Sequence, residues 1–406
     1  MPLTRRKLLQ MATLGASGSF FPNLVQAREK PIVIGEINSY VDTLDDINIP
    51  YRRGLLLATE QVNDNGGIHG RPLKVISKND RGREEDALHL AEHLVKEEKV
   101  SLLCGSVFSN IALGLGRKAQ ELEIPYIVGL AMSDSLTLEE GNAYTYRLNS
   151  STYMQTHTLA LEAAKLPVNR WVCVAPDYEY GYSAVANFKQ FLSKKRPDVE
   201  FQDDLFMPLF GANADLLENR LKNTSFEAVF NATFAKDLKA FVDVGQNKGG
   251  FDGKLVTSML AGQPENLKYL NSHICEGWLV SGYPWQQIVL SSHVKFIEAY
   301  QRRFDEDPNM PALIGYILIG AIQALFKKAP DTQPATLLSA LRHFYFDSPL
   351  GTLQIRDLDH QVNLGSFVGR LTFNDKKNEM VNWFYADGSD HWPPVKEVIN
   401  RRPDRG

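Results

Sequence analysis

Four short stretches have residue types and spacings that could do chemistry. His89-Leu90-Ala91-Glu92-His93 follows the HxxEH order of zinc peptidases, in which two histidines ligate a metal from one helix face. At about 100° per residue, Ala87, Leu88, Ala91, Leu94 and Val95 cluster on one side. His89 and His93 fall roughly opposite, so a solvated face is expected and no metal site. Gly114-Leu115-Gly116-Arg117-Lys118-Ala119 fits the dinucleotide pattern GxGxxA, which must itself be a strand-to-helix turn. Here Leu115 and Ala119 share the apolar face of a helix starting near Asn110, so close helix packing is the expected role. Gly181-Tyr182-Ser183-Ala184-Val185 lacks the second glycine of a nucleophile elbow. The glycines of Asn63 to Val75 follow a helix carrying Leu55, Ala58 and Val62, where unpaired carbonyls repel anions. They are read as a corner into the next strand and not as a phosphate loop.

The elements that must position any site alternate along the chain. Strand candidates are Ile32 to Glu36, Leu73 to Ser77, Val100 to Cys104 and Pro125 to Val128, with amphipathic helical patterns between them. The rhythm restarts after Tyr144 to Leu148, with strands expected at Trp171 to Ala175, Val199 to Phe201, Ala228 to Asn231, Leu255 to Ser258 and Trp278 to Ser281. Helical segments follow, among them Met310 to Phe326 and Leu337 to Phe344; strand-like pieces at Thr352 to Ile355, Phe367 to Phe373 and Asn382 to Tyr385 close the chain. This is an α/β pattern of two doubly wound units. Met310 to Phe326 is barely long enough to span a membrane, which takes about 20 apolar residues, and it carries Pro311 and Gln323. A buried helix is expected there.

Open α/β sheets bind ligands at the carboxyl ends of their strands. In the first unit those loops are Asn38-Ser39-Tyr40, Ser106 to Asn110 and Leu130-Ala131-Met132-Ser133; in the second they are Asp177-Tyr178-Glu179-Tyr180, Ala232-Thr233-Phe234 and Met259-Leu260. Aromatic and hydroxyl groups dominate, without a cluster of metal ligands, which is the chemistry of a binding pocket. Ser109 precedes a helix, where its hydroxyl can cap the helix or meet a ligand carboxylate beside free N–H groups. No poised base or nucleophile and no cofactor is expected.

The chain resembles the type I periplasmic binding proteins of the branched-chain amino acid and amide transport families. The resemblance rests on Val62-Asn63 through Gly66-Gly67-Ile68-His69-Gly70-Arg71-Pro72-Leu73 with Asp80 after it, on Ser109-Asn110, on Glu123-Ile124-Pro125-Tyr126, and on Asp177 to Gly181. It implies two lobes joined by a three-strand hinge, with crossings near Leu148 to Ser151, Gly282 to Tyr283 and Phe346 to Gly351. Lobe 1 is then 28–148 plus 283–346, and lobe 2 is 149–282 plus 347–406. It further implies capture of a small organic solute by hinge closure and delivery to an inner-membrane ABC permease, the protein being a monomer. The solute could be a branched-chain or other hydrophobic amino acid, an amide or urea, or an aromatic carboxylate. A ligand-sensing receptor subunit of the same fold is the alternative. The ligand residues that the resemblance implies are Ser109 with Asn110, the neighbourhood Ala131, Met132 and Ser133, then Tyr180, Thr233 and Phe234; Tyr40 and Tyr178 join them as aromatic loop residues. Where amino-acid binders place an acid for the ligand ammonium, this sequence has Leu260, so an apolar or aromatic carboxylate is expected over an α-amino acid.

The N-terminus reads as an export signal over residues 1–27: Arg5-Arg6-Lys7, a weakly apolar run from Met11 to Phe21, and Val25-Gln26-Ala27. Paired arginines suit a twin-arginine signal, with a general secretory signal as the alternative. Removing Arg5, Arg6 and Lys7 and no acid takes the formal charge from −4 down by three, to −7, so nucleic acid is not an expected partner. No cysteine follows the cleavage site, so a soluble periplasmic protein of the Gram-negative type, not inserted in a membrane, is expected. Cys104, Cys173 and Cys275, placed in or beside strands, are expected to be buried thiols. Changing Arg5 and Arg6 together to Lys should block export, measured by fractionating the two versions; unimpaired export would leave only the general secretory route.

Overall fold

The computed structural model describes residues 30–270, 273–374 and 377–403; the expected export signal lies outside them. The first unit runs β1 (Ile32–Asn38), α1 (Asp45–Asp64), β2 (Leu73–Asn79), α2 (Glu84–Lys96), β3 (Leu103–Gly105), α3 (Ser109–Glu121), β4 (Tyr126–Val128) and β5 (Thr145–Arg147). Its five strands form a parallel sheet in the order β2-β1-β3-β4-β5. Alternation along β1 explains the two covered faces. Ile32 and Ile34 join the core with Tyr51 and Leu55 of α1, while Ile37 joins Ala87 and Leu94 of α2 on the other side.

The second unit continues with α4 (Thr152–Ala163), β6 (Arg170–Pro176), α5 (Glu179–Lys195), β7 (Glu200–Phe201), β8 (Leu205–Met207), α6 (Ala214–Lys222), β9 (Ala228–Asn231), α7 (Ala235–Lys248), β10 (Leu255–Gly262), α8 (Pro264–Leu267) and β11 (Leu279–Gly282). The chain then returns to the first unit with α9 (Ser291–Phe304), α10 (Met310–Lys328), α11 (Pro334–Ala340) and the hairpin β12 (Phe344–Ser348) and β13 (Gly351–Ile355). It ends with β14 (Ser366–Asn374), β15 (Lys377–Ala386) and α12 (Val395–Arg401). Strand β14 adds antiparallel to β11 and β15 antiparallel to β14, so the second sheet reads β15-β14-β11-β10-β9-β6-β7, with β8 also paired to β6.

Three expectations change here. Phe344 is not the end of a helix: α11 stops at Ala340, and Phe344 and Phe346 alternate inward from β12 into the core of the first unit. Since β12 pairs with β13 across a tight turn, the third crossing falls in 356–365, after the hairpin, and not in 346–351. The C-terminus is not confined to lobe 2 either. Arg402 donates to the carbonyls of Thr137 and Asn142, and Arg401 pairs with Asp134 and Glu139, so α12 straps the hinge back to lobe 1.

The corner reading holds: Gly66, Gly67 and Gly70 all have positive φ after α1, and a β-carbon on Gly67 would strike the Arg71 carbonyl. Met310 to Phe326 lies in α10, whose apolar side chains are buried against α1 and β12. This helix is long and apolar enough to cross a membrane, yet most of it sits in the core. Glycines let α1 and α10 meet closely: a β-carbon on Gly54 would run into the Ala312 carbonyl, and one on Gly315 into the Tyr51 carbonyl. A β-carbon on Gly320, on the same helix, would meet only the Asp347 carbonyl, at an unstrained 4.0 Å. Gly315→Ala should therefore destabilise by about 1–3 kcal/mol through overpacking. Gly320→Ala should be neutral or stabilising by about 0.5–1 kcal/mol through helix propensity. Urea unfolding midpoints of the two variants should move in opposite directions or, at the least, differ in this order.

Candidate functional site

The carboxyl ends of both sheets face one cavity between the lobes. From lobe 1 it is lined by Ile47, Val107, Ser109, Leu130 and Met132 and by Met310, Pro311 and Ile314 of α10; from lobe 2 by Tyr178, Tyr180, Phe234, Leu260, Gln263, Glu265 and Asn266. Asn149 lines the hinge side. A mostly apolar wall with a few polar groups suits a small organic molecule.

Of the expected residues, Ser109, Met132, Tyr178, Tyr180 and Phe234 meet at this cavity. Ser109 is the first residue of α3 and not its cap, since Phe108 occupies the capping position. Its hydroxyl accepts from the Ser133 N–H at 3.2 Å, which leaves its proton for another acceptor. Tyr178 and Tyr180 bracket the start of α5, and Tyr180 packs edge-on against Phe234 at 5.8 Å. Asn231 fixes that loop by accepting from the Thr233 N–H and hydroxyl, which spends Thr233 on the turn and sends Phe234 inward.

Besides Thr233, four expected residues lie elsewhere. Asn110 is exposed on α3, and Ala131 is buried in the core. Ser133 turns to donate to Glu179 at 2.5 Å. Tyr40 donates to the buried Glu36 at 2.8 Å and stacks under Arg52, away from the cavity. Burial pushes the Glu36 carboxyl up to about 8 despite that bond. His89 and His93 are exposed on α2; among the described residues no three His, Cys, Asp or Glu side chains gather as metal ligands. The GxGxxA glycines lie inside α3, where Gly114 faces Glu84 and Gly116 faces Thr145.

Sequence reasoning stopped one turn too early on the second lobe. Strand β10 runs to Gly262, not Ser258, so its ligand loop is Gln263-Pro264-Glu265-Asn266 and not Met259-Leu260 alone. Gly262 makes this possible by lying against Gly282 with no room for a side chain. The signal was present in Gly262-Gln263-Pro264, a turn followed by proline at the first position of a short helix. Leu260 does line the cavity, but Glu265 brings a carboxylate to it five residues later. The expectation of a pocket without an acid is thus overturned. Burial raises the Glu265 carboxyl to about 8, opposed by hydrogen bonds from its own and the Met310 N–H groups.

The lobes touch on both flanks of the cavity. On one side Ser133 reaches Glu179, and the Asp134 carboxylate accepts from Ser183 at 2.5 Å and from Arg401 at 2.7 Å. On the other, Asp46 accepts from Tyr269 at 2.8 Å and pairs with Lys268. Across the mouth, Phe108 of lobe 1 meets Tyr178 and Phe210 of lobe 2, both at 6.1 Å. Behind the cavity, Arg147 at the end of β5 is fully buried and donates to Gln361 Oε1 at 2.6 Å, to Thr137 Oγ1 at 3.0 Å, and to the carbonyls of Met132 and Ser133. Loss of water holds its guanidinium down at about 10. This is a closed arrangement with its ligand loops pinned.

Comparison with known proteins gives the same architecture. A Leu/Ile/Val-binding protein homolog from Brucella abortus is 22% identical over 306 residues, covering 71% of this chain and 75% of the relative. A solute-binding protein of an ABC transporter from Rhodopseudomonas palustris, solved with 3,4-dihydroxybenzoic acid, superposes with TM-score 0.77 at 20% identity, covering 88% of this chain and 98% of its own. The branched-chain amino acid transporter substrate-binding protein of Streptococcus pneumoniae, solved with isoleucine, gives TM-score 0.75 at 17% identity over 88% and 99%. Residues 31–378 match the family described as periplasmic binding protein, and with two lobes closing on one cavity the chain belongs to that family.

Proposed function

We infer that the protein captures a small organic carboxylate outside the cytoplasm and presents it to an ABC importer. The observation that carries this reading is the largely apolar cavity whose walls come from both lobes, because a ligand there touches each half and stabilises the closed state by its differential contacts. The start of α3 beside Ser109 suits the carboxylate: free N–H groups and the positive end of the helix dipole face the cavity there. Both ligands named for the two solved relatives are carboxylates, one an amino acid and one an aromatic acid. Capture is favoured over catalysis because the polar groups at the cavity are held in structural hydrogen bonds or stand alone, with no base placed against a nucleophile. The Asn149 and Asn266 amides, for instance, are each engaged by backbone groups.

Calorimetry against isoleucine, leucine and 3,4-dihydroxybenzoate should find a binder, and scattering should show a smaller radius of gyration with it than without. Ser109→Ala should weaken that binding by about 1–3 kcal/mol, the range for a hydrogen bond to a charged group. If none of these carboxylates binds, or if one binds equally well to Ser109→Ala, the reading fails.

A further inference from the structure

His157 of α4 and His391, in the turn that leads to α12, face each other outside the cavity and take no part in the site described above. Their Nδ1 atoms lie 3.1 Å apart, with ring centroids at 5.1 Å and planes crossing at 67°. The ring centres are nearer than a straight N–H···N bond of that length would place them, so the bond is bent. Two imidazole nitrogens side by side on one divalent ion, each at about 2.0–2.1 Å, are separated by roughly 2.9–3.4 Å as the angle at the ion goes from square to tetrahedral. The pair thus already has the spacing of two adjacent ligands. Its rings are also held in place. Phe191 packs against His157 with centroids at 4.8 Å, and Tyr153 lies at 6.4 Å. On the facing side the Asp387 carboxylate accepts from the Ser389 N–H and the Trp392 indole donates to the Val362 carbonyl, which fixes the turn carrying His391. Both rings are half-buried, leaving a path for an ion and its water.

We propose that His157 and His391 form a two-histidine site for a divalent transition-metal ion of the Cu2+, Ni2+ and Zn2+ class, with water in its remaining positions. Among the described residues no third His, Cys, Asp or Glu side chain gathers with them, so the protein supplies two ligands only. Nitrogen donors suit these ions and not Mg2+ or Ca2+, which take oxygen. Burial lowers both imidazoles, His157 to about 4, where the facing ring and the Lys195 and Lys194 charges of α5 add to the effect; at His391, Asp390 and Asp387 oppose it. Both rings are therefore neutral near pH 7 and share one Nδ1 proton between them. As the ion binds, that proton passes through solvent to Nε2 of the same ring. Both Nδ1 lone pairs then face the metal, and no net proton is released. The ion ties α4 to the turn before α12, the helix whose Arg401 and Arg402 hold lobe 1.

Calorimetry with Cu2+, Ni2+ and Zn2+ in a non-coordinating buffer at pH 7 tests this on untagged protein first stripped with a chelator. His89 and His93, exposed four residues apart on α2, would add a surface site of their own, so both are first changed to Ala. That background should bind a single ion, Cu2+ most tightly and Mg2+ not at all, and its thermal midpoint should rise with the ion. Electron paramagnetic resonance of the bound Cu2+ should show two imidazole nitrogens. His157→Gln and His391→Gln, each introduced into the background, should weaken binding by at least about tenfold and abolish the midpoint shift. Far-UV circular dichroism establishes that both variants fold. Absence of binding in the background, an affinity unchanged in either Gln variant, or a Cu2+ spectrum with a single imidazole nitrogen overturns the site.

Discussion

The structure turns on a guanidinium with no water around it. Arg147 ends the last strand of the first sheet, yet its donors are spent on the loop 132–137 and on Gln361 in the third crossing. Gln361 in turn donates to the carbonyls of Asn149 and Val362, so the first and third crossings share one hydrogen-bonded knot. A buried charge is tolerable only when every donor is met, which forces these segments into one geometry. That geometry sets where Met132 lines the cavity and where Ser133 can place its N–H on Ser109. Removing the guanidinium would free the ligand loop and the hinge together.

Contacts between the lobes divide by chemistry. Polar pairs sit at the two flanks: the Asp46–Lys268 pair is exposed, where water competes and such a pair contributes at most about 1 kcal/mol, while Ser133 and Asp134 on the other flank are buried. The aromatic contact of Phe108 with Tyr178 and Phe210 closes the mouth, and it buries apolar surface whichever solute lies beneath. The closed state thus has a modest bias of its own, and the cavity's unmet polar atoms, the Tyr180 hydroxyl, Gln263 Oε1 and Glu265 Oε2, oppose it. Such opposition keeps opening accessible until a matching solute removes it.

The fold was largely legible because its signals are local: alternating apolar runs place β1, β2, β4 and β6 within a residue or two, and helical periods mark α1 to α3 between the strands without fixing their ends. The hairpin β12–β13 was not, since Phe344 carries the same apolar signal in a helix or a strand and only packing against α10 decides between them. In the candidate site, Ser109, Met132, Tyr178, Tyr180 and Phe234 were legible from their position after strands. Tyr40 and Thr233 have the right residue types but are bonded to Glu36 and Asn231, partners that depend on side-chain direction and not on spacing. Glu265 and Gln263 were hidden because β10 runs farther than its apolar core suggests. Arg147 gave no signal at all, for a buried cation looks in sequence like any exposed one.

The three thiols are each sealed from solvent and distributed unevenly: Cys104 in the first sheet, Cys173 in the second, and Cys275 in the short turn that leads into β11. Burial also holds all three in the protonated, unreactive form. A thiol reagent can meet them only when the surrounding lobe opens to its core. The chain therefore carries its own reporters of unfolding, one in lobe 1 and two in lobe 2, and the order of their labelling reads out which half of the molecule lets go first.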